Sequence, residues 1–214
     1  MLRDDKHRRR RNMYLKRILI EAARDGNIIA VKEAIEKGAD INVRDDETTN
    51  TALIYACRYG HLDVVKYLIE KGADINGTNK SGWTALMEAC ITIFIEAPPT
   101  KRLEVVKYLI EKGVDVNARD EGGETALMHA SGEGELEVVK YLIEKAADVN
   151  ARSEDGWTAL MRASGRGNLE VVKYLIEKGA DVNIRHKEGL TALDFASAMG
   201  HSEVVSILRK ARNR

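Results

Sequence analysis

Histidine and cysteine are the residue types most able to do chemistry here, and the chain has five of one and two of the other. A metal centre would gather them at short spacings such as Cys-x2-Cys. Instead Cys57 and Cys90 lie 33 residues apart, His7 lies in a basic run, and His186 lies in a turn. His61 and His201 each follow a glycine in matching contexts. No nucleophile stands in a recognisable relation to a base. No Gly-rich loop joins a strand to a helix to cradle phosphate; the glycines of SGEGE (131–135) and SGRGN (164–168) read as turn glycines. Neither a catalytic set nor a metal or cofactor site is expected, so the chain reads as non-enzymatic.

The matched contexts point to internal repetition. EVVKYLIEKG occupies 104–113 and returns at 170–179, with near-copies at 63–72 and 137–146. Thr-Ala-Leu recurs from Thr51, Thr84, Thr125, Thr158 and Thr191, in steps of 33, 41, 33 and 33 residues. A fixed period near 33 means one supersecondary unit stacked on itself. In residues 154–186, Asp155-Gly156 signals a turn and Thr158 is a candidate N-cap. Ala159, Leu160 and Ala163 form the packing side of a short first helix. Leu169, Val171, Val172, Leu175 and Ile176 make one broad face of a second, and Gly179 suits a left-handed C-cap. A single unit cannot bury these faces, so its neighbours must.

With TALIYA, TALMEA, TALMHA, TALMRA and TALDFA joined to G-H-L-D-V-V- and G-A-D-V-N-like segments, the chain resembles the ankyrin repeat family. Ala stands where that family usually has Pro, and Ile, Met or Asp where it has His. The resemblance implies an all-α repeat solenoid of about six stacked helix-turn-helix units joined by β-hairpin-like loops. One repeat domain is expected over 13–214, with caps at about 13–44 and 187–214. Residues 1–12 lack apolar periodicity and are expected to be a disordered basic tail.

Charge is distributed unevenly beneath a net of zero. Residues 1–17 carry eight Lys/Arg against two Asp, a net of +6, and residues 209–214 add +4, which leaves 18–208 at −10. Stacked helices ~8–10 Å apart are too distant for a disulfide between Cys57 and Cys90. Buried thiols in a reducing compartment are therefore expected. The apolar run Ile91–Ile95 is too short to span a bilayer. These features suggest a cytoplasmic monomer with no membrane partner.

Function in an array lies where its units differ. The residue preceding each Thr-Ala-Leu runs Asn50, Trp83, Glu124, Trp157, Leu190, and both tryptophans of the chain fall in this column. Tryptophan favours binding hot spots, although an aromatic that packs the hairpin is the plainer reading. A second column runs Tyr55, Glu88, His129, Arg162, Phe195, with Arg58, Tyr59 and Arg166 one helical turn further on. It is either a groove floor or a solvated helix face. Eight residues are inserted within 91–102, where Ile93 and Phe94 read as a partner-binding protrusion or as a loop packed on itself. A third column, Arg44, Thr78, Arg119, Arg152, Arg185, looks like an arginine stripe for phosphates, but it is read as structural, since the neighbouring Asp45 and Asp120 can pair with it.

The resemblance and these columns point to a protein-binding scaffold using the hairpin and first-helix groove, with the insertion as a possible second contact. Binding of nucleic acid or an acidic surface through the Arg8–Arg11 run is a second reading. An engineered, consensus-like array is a third.

Overall fold

The computed structural model describes residues 2–91 and 99–213, so the proposals for Ile93 and Phe94 fall outside the described residues. Twelve helices occur among the described residues, and no extended strand. They pair in chain order: α1 (Leu2–Arg24) with α2 (Ile28–Glu36), α3 (Ala52–Arg58) with α4 (Leu62–Glu70), and α5 (Ala85–Ala89) with α6 (Pro99–Glu111). The later pairs are α7 (Ala126–Glu133) with α8 (Leu136–Glu144), α9 (Ala159–Arg166) with α10 (Leu169–Glu177), and α11 (Ala192–Ala198) with α12 (Ser202–Arg212). Helices α1–α6 belong to one compact unit and α7–α12 to another.

Within each unit, first helices pack on first helices and second on second: α1, α3, α5 and α2, α4, α6, then α7, α9, α11 and α8, α10, α12. The recurring threonine begins each repeat by accepting a backbone N–H three residues on, as from Thr51 to Ile54 at 3.3 Å and Thr158 to Met161 at 3.2 Å. Thr191 forms a full capping box with Asp194. The Ala and Leu that follow are buried in each case except the last, where Leu193 is half-buried. The Val-Val pairs and Leu68, Leu109, Leu142 and Leu175 bury the second helices. Cys57 and Cys90 are buried and not joined in a disulfide, as expected, and burial together with Glu88 pushes the Cys57 thiol up.

Three polar ladders help to tie neighbouring repeats together, beside ion pairs such as Arg58–Glu88. The arginine stripe donates to main-chain carbonyls one repeat ahead: Arg44 to Thr78, Arg119 to Arg152 at 2.6 Å, and Arg152 to Arg185 at 3.0 Å. Asp45 and Asp120 do not pair with it; they accept backbone N–H groups of their own loops. Asn42, Asn117 and Asn150 each accept from the backbone N–H of Asp74, Asp148 or Asp181 in the next repeat. His61 bonds the carbonyl of Arg24, Asn168 those of Ser131 and Gly132, and His201 that of Gly165. Carbonyls left over at the first helices' ends thereby gain partners.

The ends and the insertion depart from expectation. Residues 2–12 do not form a disordered tail but continue α1, because arginine is a good helix former and the helix already exists from Asn12 onward. Arg11 donates to the carbonyl of Lys37 at 2.7 Å. Part of the insertion joins α6, which starts at Pro99 and runs 13 residues against nine in α4, α8 and α10. Proline is well suited to a first helical position. The loops are hairpin-like without being strands: isolated bridges join Arg44 to Thr51 and Thr78 to Thr84.

Candidate functional site

The two columns occupy fixed positions on the first helices. With the threonine as N-cap, the residue before it is N′ and the second column is N4, the pair that packs together in a hydrophobic staple. In α9 this places Trp157 against Arg162, whose guanidinium lies 4.3 Å over the indole centroid. In α7 the same positions hold Glu124 and His129, 3.7 Å apart. The relation carries across repeats as well. Arg162 ion-pairs with Glu124 of the preceding repeat, and Trp157 stacks on Phe195 of the following one at 4.4 Å and 28°.

Trp157 is thus enclosed between Arg162 and Phe195, with His186 at its edge 5.0 Å away. The hairpin-packing role accounts for much of its environment, and it stays half-buried. Exposure increases along the column from Asn50, which is fully buried and accepts from Asn79 at 2.9 Å, to Leu190, which is 38% exposed. Trp83 is half-buried, its backbone N–H bonded to the Asn79 side chain at 3.0 Å. In the six-helix unit ending at α12, Leu190 and Met199 are the large apolar residues exposed among the described residues. Arg166 keeps 68% of its side chain exposed and meets Glu133 only at 3.8 Å.

In the first unit the polar column is engaged in the fold. Arg58 grips Glu88 with two bonds, Nε to Oε2 at 2.8 Å and Nη2 to Oε1 at 2.5 Å, and the Glu88 side chain is fully buried. That carboxylate raises the Arg58 guanidinium pKa. Tyr55 donates its hydroxyl to Asp45 at 3.0 Å, and Tyr59 stacks on His61 at 6.2 Å. These residues do not present free polar groups to a groove.

Asp120, Glu124 and His129 are the one group among the described residues whose donor atoms lie close enough to consider a metal ion, all within 4.8 Å. Their arrangement does not suit a chelate. His129 turns Nε2 to Asp120 and Nδ1 to Glu124, both at 3.7 Å, so opposite sides of the ring face the two carboxylates. Glu124 also binds Arg162. Burial lowers the His129 pKa despite Asp120, which favours a neutral imidazole within an ion-pair network. Asp120 was absent from the sequence candidates; its place at the mouth of the Glu124 loop is the signal that would have found it.

A family model described as Ankyrin repeats (3 copies) matches residues 19–120, 92–153 and 147–213. The chain belongs to the ankyrin repeat family. Its all-α repeat fold and the helix pairs described above agree with that membership. A search of curated proteins gave no match. Ankyrin repeats generally mediate protein–protein interaction, and no helix among the described residues is long and apolar enough to cross a membrane.

Proposed function

We propose that this ankyrin array is a non-enzymatic scaffold whose partner protein docks on the hairpin and first-helix face of its last two repeats. The observation that carries the reading is the exposure of Leu190 and Met199 on the repeat whose Phe195 stacks with Trp157. Leu190 precedes the N-cap of α11 and Met199 is its C-cap, so the two flank the helix that carries Phe195, and Phe195 and Met199 share one helix face at i, i+4. The rigid Trp157–Phe195 stack provides a base that need not be ordered on binding. Exposed Arg166, on the neighbouring helix, suits a partner carboxylate. The partner segment therefore carries apolar residues beside an acidic one. In this reading Trp157, Leu190 and Arg166 contribute to binding, whereas Glu88, Arg58 and Tyr55 serve the fold.

Photo-crosslinking tests the surface directly. A photoreactive residue at Met199 should capture a partner that one at Tyr174, on the opposite helix layer, does not. Capture should fall when Leu190→Ser is added. Equal capture from both positions would remove this face from consideration.

A further inference from the structure

One side of α1 faces the first hairpin loop across an open cleft of about 630 Å³. Lys16 marks that side, since its ammonium bonds Asp46 of the loop at 2.5 Å. Met13 and Ile20 stand three residues before it and four after it, so they flank Lys16 on one face and line the cleft. Arg10, Arg17 and Arg24 line it too, as a row at heptad spacing about 100° further round the helix. The opposite wall holds Asp46, Glu47 and Tyr55. The cleft thus runs from an acidic wall across an apolar floor to a row of arginines. Met13 on that floor is 70% exposed. Arg24 pairs with Asp25 at 3.2 Å. The exposed side chains of Arg10, Arg17 and Glu47 have no partner among the described residues.

We propose that this cleft docks an amphipathic helix of a partner protein. The helix presents carboxylates toward Arg10 and Arg17, cationic groups toward Asp46 and Glu47, and an apolar stripe to Met13 and Ile20. The order of charge selects this occupant. A purely acidic ligand, nucleic acid included, meets repulsion from Asp46 and Glu47, and a purely basic one meets it from the arginines. No extended strand among the described residues offers an edge to which a peptide could add, which leaves the helix-in-groove mode. From Arg10 to Arg24 the row runs about 21 Å along α1, the length of a helix of about four turns. Because Arg10 and Arg17 are seven residues apart, the carboxylates that meet them also recur at i, i+7. None of these residues belongs to the unit that carries Leu190 and Met199, so the cleft is separate from the docking face on the last two repeats.

Fluorescence anisotropy of the full chain with three labelled peptides of about 18 residues, long enough to cover the row, tests this. All three share one leucine stripe at helical spacing. The first carries Glu on one flank of the stripe and Lys on the other, the second Glu on both, and the third Lys on both. The mixed peptide should bind at least ~10-fold more tightly than either of the others at low ionic strength. A proline at its centre, which breaks the helix, should abolish that advantage. With Arg10→Glu and Arg17→Glu both walls become acidic, and the order should change to favour the all-Lys peptide. Met13→Ser should weaken the mixed peptide by at least ~3-fold. These side chains are exposed, so the variants should melt with the wild type, which separates lost binding from lost fold. Leu190→Ser with Met199→Ser should leave peptide binding intact, which distinguishes this site from the other face. Equal affinity for the three peptides would overturn the proposal, as would an unchanged order in the Arg→Glu variant or an undiminished affinity of the proline peptide. Tighter wild-type binding to a short DNA duplex than to the mixed peptide, at equal salt, would overturn it too.

Discussion

Trp157 stacks on Phe195 at 4.4 Å across 38 residues, the interval at which Glu124 also meets Arg162. One interval carries an aromatic stack in one pair of repeats and an ion pair in the preceding one, because N′ of each helix reaches N4 of the next. The contact is a device of the backbone that different side chains fill. Substitutions at Trp157 should therefore act on folding and binding together.

Trp157→Ala should cost about 2–3 kcal/mol in chemical denaturation, below the full core value because the ring is half-buried. Leu190→Ser with Met199→Ser should stay within about 0.5 kcal/mol for each exposed site while weakening the partner. Measuring affinity on the folded fraction of each variant separates the two effects. If the serine variant keeps full affinity, the terminal apolar surface has no role in binding.

What could be read from sequence was whatever repeats with the period of the fold. Thr158 as N-cap, the Val171–Val172–Leu175 face and the C-terminal Gly179 all follow from local spacing, and each holds. The acceptors of the arginine stripe could not be read, because a main-chain carbonyl such as that of Arg185 has no residue signature. Arg162 with Glu124 was hidden for another reason. Its partners lie one repeat plus five residues apart, and only the N′ and N4 assignment brings the two columns together. The helix over residues 2–12 lacked the apolar periodicity from which buried helices are inferred, since nothing there is buried among the described side chains.

Two residues carry a backbone conformation that suits glycine. Ala146 has φ 67° where Gly38, Gly72, Gly113 and Gly179 stand in the other repeats, and Thr49 has φ 59° where Gly82, Gly123, Gly156 and Gly189 stand. At the four helix-end glycines an added Cβ would meet nothing within 4 Å, so the cost to Ala146 is conformational, not steric. Ala146→Gly should raise stability by about 1 kcal/mol, and Thr49→Gly by at least as much, since a β-branched residue fits there less well. Denaturant midpoints that fail to rise would mean that the extra chain entropy glycine gives the unfolded state offsets the relief.

Acid should act through Asp45. Burial alone would raise its pKa, but hydrogen bonds from the Thr48 side chain, the Thr48 and Glu47 backbone and Tyr55 lower it to about 2. An unfolded aspartate titrates near 3.8, so the folded state binds its proton less readily. The stabilisation is complete above about pH 4 and disappears as pH falls towards 2. After allowance for solvent screening it amounts to about 1–2 kcal/mol. Asp45→Asn should show a shallower loss across that window in pH-dependent denaturation. Parallel curves for the two proteins would place the acid sensitivity elsewhere.

The Arg58–Glu88 pair gives the sharpest test of how the first unit is held. Glu88 is fully buried and receives both guanidinium bonds, while Arg58 retains 22% exposure. Removing the carboxylate alone leaves a cation short of its partner, a change that costs about 3–5 kcal/mol at buried pairs. Since Arg58 has a route to water, Glu88→Leu should lie near the lower end of that range. Replacing both by leucine removes the unpaired charge, and the double variant should recover most of the loss. The mutual dependence is read from a double-mutant cycle of denaturation energies, with a coupling of at least ~1 kcal/mol expected for groups in direct contact. Strictly additive losses would show that Glu88 is held by its packing and that the arginine contributes little.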